Sequence, residues 1–124
     1  MEELTKTEER VMQVLWELKK AFVKDIIDAL PDTPKPPYNT ISSMVRVLEK
    51  KGYIKFKAYG KTYEYSPAIT KAQYRKASFK KIFNNYFDGS VESLLSFIVK
   101  EHSLNQEELA KINDFINKNQ NPSS

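Results

Sequence analysis

Apolar side chains recur three and four positions apart over the first half of the chain, a spacing that predicts three short helices. Thr5 and Glu8 form the signature of a capping box and begin the first helix, about residues 6–19. Pro31 ends the second helix, and the proline-rich run 31–37 predicts an extended loop. Gly52 ends the third helix, because glycine suits the left-handed backbone that follows many helices. The apolar stripes are Val11, Met12, Leu15 and Leu18; Phe22, Val23, Ile26, Ile27 and Leu30; and Ile41, Met44, Val45 and Leu48.

The spacing changes from helical to alternating after Gly52, which predicts a β-hairpin. Apolar residues alternate with lysines over 54–58, and residues 62–66 alternate in the same way. Gly60 lies between these runs, where a hairpin turn needs a residue that tolerates positive φ. Tyr63 and Tyr65 share one side of the second strand, and we expect both to pack against the core. Three helices followed by a hairpin is the order of a winged helix-turn-helix.

The rest of the chain predicts three further helices, whose N-terminal caps are Thr70, Ser90 and Asn105. They carry more apolar surface than a thin helical hairpin can bury by itself. We therefore expect a second copy of the chain to cover this surface in a symmetric homodimer. The residues assigned to dimerisation are Phe83, Phe87, Val91, Leu94, Leu95, Ile98, Leu109, Ile112, Phe115 and Ile116.

The predicted fold class is therefore mainly α with a small β-hairpin. An N-terminal winged helix-turn-helix occupies residues 1–68, and a helical dimerisation region occupies residues 69–118. The polar residues 119–124 are expected to form a disordered tail.

Composition limits the chemistry that the chain can perform. The sequence contains no cysteine, which excludes disulfides, thiolate metal sites and cysteine nucleophiles. It has one histidine, His102, and it has no phosphate-cradling glycine loop, so we expect neither an enzyme nor a bound metal or cofactor. No run approaches the roughly 18 apolar residues that would span a bilayer, and the start lacks the order of a signal peptide. We expect a cytoplasmic protein without direct membrane insertion.

The net charge of +4 is unevenly distributed along the sequence. Residues 1–34 carry a net charge of −3, whereas residues 35–61 carry a net charge of +6, with Glu49 as the single acidic side chain. A concentrated positive region favours a polyanionic partner.

The third predicted helix has a polar and cationic outer face. If Ile41 points inward and each residue turns about 100°, the opposite face presents Asn39, Ser42, Ser43, Arg46 and Lys50. In a DNA major groove, serine and asparagine can reach base edges, Arg46 can pair with guanine, and Lys50 can meet a phosphate. The hairpin adds Lys57, Tyr59 and Lys61 at its tip. Double-stranded DNA is the partner that these residues predict.

Other interpretations of the same residues stay open at this point. A polar face opposite an apolar one is also what any solvated surface helix shows. Winged helices can also serve as protein-interaction modules that do not contact nucleic acid. An enzyme is the weakest alternative, because no site is evident.

Four stretches carry a resemblance to a known family over nearly the whole chain. They are LTKTEERVMQVLWEL, YNTISSMVRVLEKKGYI, GKTYEYSP and GSVESLLSFIVKEHSLNQEELAKI. In order and spacing they resemble the BlaI/MecI/CopY group of bacterial penicillinase-type repressors. The resemblance implies a transcriptional repressor whose dimer binds a dyad-symmetric operator. It also places Thr40 and Ser43 where the recognition helix meets bases, and Lys57, Gly60 and Lys61 in the wing.

Three departures from the family pattern affect what the resemblance implies. In β-lactam-responsive members a membrane sensor peptidase system leads to cleavage at an Asn-Phe bond. The matching position here is Ser96-Phe97, and this change disfavours a proteolytic switch at that bond. Copper-responsive members carry a C-terminal cysteine motif that this chain lacks, which disfavours copper sensing. Arg46 lies one residue before the arginine usual in staphylococcal repressors, so we expect a different operator sequence.

Overall fold

The computed structural model describes residues 2–102 and 105–119, and it confirms a mainly helical fold with one antiparallel hairpin. Its elements are α1 (Lys6–Leu18), α2 (Val23–Ala29), α3 (Tyr38–Lys50), β1 (Ile54–Tyr59), β2 (Thr62–Pro67), α4 (Lys71–Phe87), α5 (Val91–His102) and α6 (Gln106–Asn119).

The chain divides into two units, residues 1–78 and residues 79–124, so the division falls within α4. The domain limits expected from the sequence stay a prediction. Helix α6 continues through Asn119, the first residue of the predicted tail, and residues 120–124 lie outside the described part of the chain.

Local hydrogen bonds explain where the helices begin and end. The N–H of Glu8 donates to the Thr5 hydroxyl at 3.1 Å, and the N–H of Thr5 donates to the Glu8 carboxylate at 2.8 Å, which confirms the capping box. Gly52 follows α3 with φ +85°, and its N–H donates to the carbonyl oxygen of Glu49 at 3.0 Å. A residue with a Cβ would be strained at that φ, so the glycine end of α3 is also confirmed.

The first unit has a continuous hydrophobic core formed by α1, α2, α3 and the base of the hairpin. Full burial of a leucine- or methionine-sized side chain contributes about 1.5–3 kcal/mol, so the apolar stripes of the three helices hold them together. The buried hydrophobic residues are Val11, Met12, Val14, Leu15, Ala21, Val23, Ile26, Leu30, Ile41, Val45, Leu48, Tyr53, Ile54 and Tyr65.

Strands β1 and β2 form the wing, which is attached to the helices through Tyr65. The backbone of Tyr65 exchanges two hydrogen bonds with Ala21, at 2.9 and 2.8 Å, in a single antiparallel bridge that precedes α2. The Tyr65 side chain is 4% exposed, but Tyr63 is 45% exposed and rests on Phe56 at 4.7 Å between ring centroids. The expectation that Tyr63 packs against the core was wrong, because Tyr63 lies nearer the tip of the hairpin than Tyr65, in the part that extends beyond the core.

The first turns of α4 pack against α1. Trp16 donates its indole N–H to the carbonyl oxygen of Ile69 at 2.8 Å, and its ring lies 5.6 Å from that of Tyr74. Tyr74 also contacts the ring of the buried Tyr53 at 5.8 Å, and its hydroxyl donates to Glu9 at 3.1 Å. The beginning of α4 therefore belongs to the first unit.

The second unit is built differently, since none of its described side chains is fully buried. Asp88 and Gly89 follow the last residue of α4 with φ values of 51° and 68°. The Ser90 hydroxyl caps α5 by accepting from the N–H of Ser93 at 3.1 Å. Phe87 packs edge-on against Phe97 at 5.4 Å. Large apolar side chains stay exposed, namely Phe79, Ile82, Tyr86, Val91, Phe97, Val99 and Phe115.

Throughout the described residues, every helix is too short or too polar to cross a bilayer.

The buried carboxylate of Glu8 connects α1 to the end of α3. Lys51 donates to both of its oxygens, at 3.0 and 3.2 Å. Burial raises the pKa of Glu8, but the hydrogen bond from the Thr5 backbone and the Lys51 ammonium outweigh burial, so the pKa lies below its ordinary value. The ionised pair is therefore a stabilising contact of the folded state.

We expect Glu8→Gln to lower the free energy of unfolding by about 1–3 kcal/mol at pH 7, because it keeps the cap but leaves the Lys51 ammonium without the negative charge that pairs with it. Because folding lowers the pKa of Glu8, the contribution is fully present above its unfolded pKa, about 4.3, and disappears as pH falls through the folded pKa. Urea unfolding of the wild type and of the variant measures the free energy of unfolding at pH 7 and at pH 3. The gap between wild type and variant should shrink at pH 3, and an unchanged gap would contradict this account. The exposed Glu17→Gln is the matched control on the same helix.

Candidate nucleic-acid interface

The exposed surface of α3 divides into two strips because the helix packs inward through Ile41, Val45 and Leu48. The strip that faces away from the wing presents exposed polar and cationic side chains together with one apolar residue. Its members are Asn39, Thr40, Ser43, Val47 and Lys50. Val47 is 43% exposed, so its methyl groups are accessible to a partner. This strip has the hydroxyl, amide and methyl groups that can contact base edges.

The second strip of α3 faces the wing across an open cleft, which we call the helix–wing cleft. From α3, Tyr38, Ser42 and Arg46 line it, and from the wing Lys61 and Thr62 line it. Tyr63, Tyr65 and residues 22–25 complete the lining of the cleft. The structure thus brings together three predicted site residues, Ser42, Arg46 and Lys61, from two separate elements.

The tip of the wing is a two-residue turn formed by Gly60 and Lys61. Gly60 has φ +61°, the positive value that such hairpin turns require at this position. The Thr62 hydroxyl donates to the carbonyl oxygen of Tyr59 at 2.9 Å across the turn. Lys57 lies with its ammonium 5.3 Å from the centre of the Tyr59 ring, a cation–π contact. Lys57, Tyr59 and Lys61 are all exposed, so the turn presents its cations to solvent.

Arg46 lies close enough to Tyr65 to affect its titration. Burial raises the pKa of the Tyr65 phenol, and the positive charge of Arg46 opposes part of this rise. The guanidinium is therefore near the base of the wing, although the Arg46 side chain as a whole stays exposed.

Two of the seven cationic residues in 35–61 donate hydrogen bonds to other groups of the same chain. Lys51 pairs with Glu8 and also donates to the carbonyl oxygen of Glu3 at 3.3 Å. Lys35 donates to the carbonyl oxygens of Asp28 and Leu30 at the end of α2, where a cation stabilises the free carbonyls. The positive surface is formed instead by the exposed Arg46, Lys50, Lys55, Lys57 and Lys61.

Sequence reasoning missed three exposed residues of this surface. Tyr38 lies on the inward side by the helical period, but it is 57% exposed because the first turn of α3 extends beyond the core. Val47 was overlooked because it lies among apolar residues in the sequence. Its direction, about 240° from Ile41 at 100° per residue, places it outside the core stripe. Thr62 lies next to Lys61, and its place in the cleft follows from the turn.

The predicted dimerisation residues lie on α4, α5 and α6. Val91 and Phe115 are exposed, at 60% and 67%. The half-buried members are Phe83, Phe87, Leu94, Leu95, Ile98, Leu109 and Ile112. The side chain of Ile116 lies outside what the structure describes. Ser96 and Phe97 are both exposed on α5.

In the part of the chain that the structure describes, no three histidine, aspartate or glutamate side chains gather in a group that could hold a metal ion.

The helix order, the hairpin attached through Tyr65 and the cationic surface on α3 and the wing define a winged-helix DNA-binding protein.

Comparison with known proteins identifies the family. Residues 4–118 match the family model described as penicillinase repressor, so the chain belongs to the penicillinase repressor family. It is 26% identical over 116 residues to the methicillin resistance regulatory protein MecI of Staphylococcus aureus strain N315, covering 94% of each chain. It is 23% identical over 119 residues to the penicillinase repressor of Bacillus licheniformis, covering 96% of this chain and 93% of that one. Among solved structures, the solution structure of the DNA binding domain of the repressor BlaI matches with a TM-score of 0.51 and 28% identity, over 58% of this chain and 88% of that one.

We expect the double variant Lys57→Ala, Lys61→Ala to weaken binding to all DNA sequences and to reduce the slope of log affinity against log salt by about 1–2, because two phosphate contacts are lost. Fluorescence anisotropy over a salt series measures both quantities. The matched control is Lys6→Ala, Lys20→Ala, which removes the same charge from exposed positions outside the cationic surface. If the slope of the wing variant is unchanged, the wing makes no phosphate contact with DNA.

Proposed function

We propose that the chain represses transcription by binding a dyad-symmetric DNA operator as a homodimer. The protein is a DNA-binding repressor of the penicillinase repressor family. The observation that carries the proposal is the exposed surface on which α3 and the wing display five cationic side chains, Arg46, Lys50, Lys55, Lys57 and Lys61. The family is one of transcriptional repressors and not of enzymes.

In this proposal α3 enters the major groove. Asn39, Thr40 and Ser43 carry donors and acceptors that reach base edges, and Val47 offers methyl groups to thymine. Lys50, in the last turn of α3, meets a phosphate, while Lys57 and Lys61 bring the wing against the neighbouring backbone. The positive surface speeds the first encounter with DNA, and the groove contacts then select the sequence.

Dimerisation is supported by the apolar surface of the second unit. Val91 and Phe115 are more than half exposed, and Tyr86 is 78% exposed. Several large apolar side chains exposed on neighbouring helices are typical of an interaction site, and a second copy of the same chain is the partner that a symmetric operator requires. Joining two DNA-binding units converts two weak contacts into one strong contact through effective concentration. Disrupting the dimer would therefore release the operator.

The proposal also covers location and regulation. A repressor acts where the chromosome is, which places the protein in the cytoplasm. The bond between Ser96 and Phe97 is exposed on α5 and is the candidate position at which a membrane sensor peptidase system would end repression. Cleavage there would divide the helix that carries Val91 and Ile98.

A salt titration separates DNA binding from the alternative, a winged-helix module that docks on another protein. The purified chain is titrated against duplex DNA from its own promoter at 50–300 mM salt, a range of about sixfold. Binding through several phosphates should weaken by orders of magnitude over this range. Absence of binding even at the lowest salt would sink the proposed function.

We expect the double variant Val91→Glu, Ile98→Glu to be monomeric and to bind the operator at least about tenfold more weakly, because each DNA-binding unit loses its tethered twin. Sedimentation equilibrium and anisotropy measure the two effects, and circular dichroism confirms that the helices persist. Ser93→Glu, Ser96→Glu adds the same charge to the polar side of α5 and should stay dimeric. Tight operator binding by a proven monomer would contradict the role assigned to dimerisation.

A further inference from the structure

We propose that the helix–wing cleft holds one phosphate of the operator backbone, with Arg46 as its principal ligand. The inference rests on the proposed function and deepens it, since it assigns Arg46 to the backbone and not to a guanine base. Three observations support it: the direction in which Arg46 leaves α3, the donors gathered around it, and the way the cleft walls are fixed.

The direction of Arg46 separates it from Thr40 and Val47, two residues of the α3 strip that faces away from the wing. The other residues of that strip, Asn39, Lys50 and Ser43, lie between the two directions. Counting about 100° per residue from Ile41, Ser42 and Arg46 lie near 100° and 140°, whereas Val47 and Thr40 lie near 240° and 260°. Ser42 and Arg46 line the helix–wing cleft, and Thr40 and Val47 do not. The electrostatic influence of Arg46 on the buried Tyr65 also places its charge beside the wing. When Thr40 and Val47 face the floor of the groove, Arg46 therefore points toward its wall.

The groups around Arg46 suit a phosphate better than a base edge. Arg46 lines the cleft from α3 and Lys61 lines it from the wing, and two residues with hydroxyl groups, Tyr38 and Ser42, line it as well. A phosphodiester has a negative charge and several acceptor oxygens, and it is recognised by this combination of charged and hydroxyl donors. The carboxylate in the cleft, Asp25, accepts from the N–H of Phe22 at 2.9 Å and so is already engaged in capping α2.

The walls of the cleft are fixed relative to one another before DNA arrives. Tyr65 is held by two backbone hydrogen bonds to Ala21, and α3 is held by its buried stripe. Donors on rigid elements lose little freedom when they bind, which strengthens each contact. A backbone strand entering between α3 and the wing would meet a prepared site.

The experiment uses the full chain and a duplex that the wild-type protein selects from random sequence. Each phosphate in one half-site is replaced, one at a time, by an uncharged methylphosphonate, and affinity is measured by anisotropy. In the wild type, neutralising the one phosphate that Arg46 contacts should weaken binding about tenfold. In Arg46→Ala, neutralising that same position should change affinity less than about twofold, with the base preference unaltered. Equal thermal midpoints confirm that the variant is folded.

Two variants sharpen the result. Arg46→Lys keeps the charge and should retain part of the sensitivity at that position, since lysine binds phosphate as a point charge. Lys50→Ala should weaken binding but leave the full sensitivity there, because its own phosphate lies elsewhere.

If Arg46→Ala keeps every methylphosphonate sensitivity and instead loses discrimination at one base pair, the phosphate assignment is wrong while the proposed function stands. If the wild type selects no duplex at all, both fail.

Inorganic phosphate distinguishes the backbone from a free ligand. Operator binding is measured in phosphate and in chloride at equal ionic strength. If phosphate weakens binding more than chloride does in the wild type but not in Arg46→Ala, the cleft binds phosphate groups, and a free phosphate ester is a second possible ligand. Equal competition by the two salts, together with the methylphosphonate result, would assign the cleft to the duplex backbone alone.

Discussion

The attachment of the wing through Tyr65 is the constraint on which the DNA-binding surface depends. A two-stranded hairpin is only marginally stable by itself, yet here its second strand is bound to Ala21 by two backbone hydrogen bonds and anchored by a buried ring. The same ring lies near Arg46 of α3. One residue therefore joins the helical core, the wing and the cationic surface, and the spacing between α3 and Lys61 follows from it.

The two units solve the problem of apolar surface in different ways. The first unit buries the stripes of α1, α2 and α3 in a shared core, which leaves its outer faces free to be polar and cationic. The described part of the second unit buries no side chain completely and leaves large apolar side chains such as Tyr86 and Val91 more than half exposed. A rigid core suits the positioning of DNA contacts, while an uncovered apolar surface suits association, so the proposed division of labour follows from burial.

Much of the fold could be predicted from the sequence because its signals are local. The capping box at Thr5 and the glycine after α3 depend on neighbours within a few positions, and both were confirmed. Contacts between distant residues could not be read in this way. The bridge from Ala21 to Tyr65 and the pairing of Lys51 with Glu8 join positions more than 40 residues apart. Helical periodicity identified Arg46 as exposed, but it contains no information about the wing that lies beside it.

Trp16 gives the protein a built-in optical probe. It is the single tryptophan of the chain, its indole N–H is bonded to Ile69, and its ring touches Tyr74 at the start of α4. Ultraviolet emission excited at the indole therefore arises from one known place, the contact between α1 and α4. Any event that loosens this contact would shift the emission spectrum without a dye or a label, so the junction can be followed in real time during unfolding or binding.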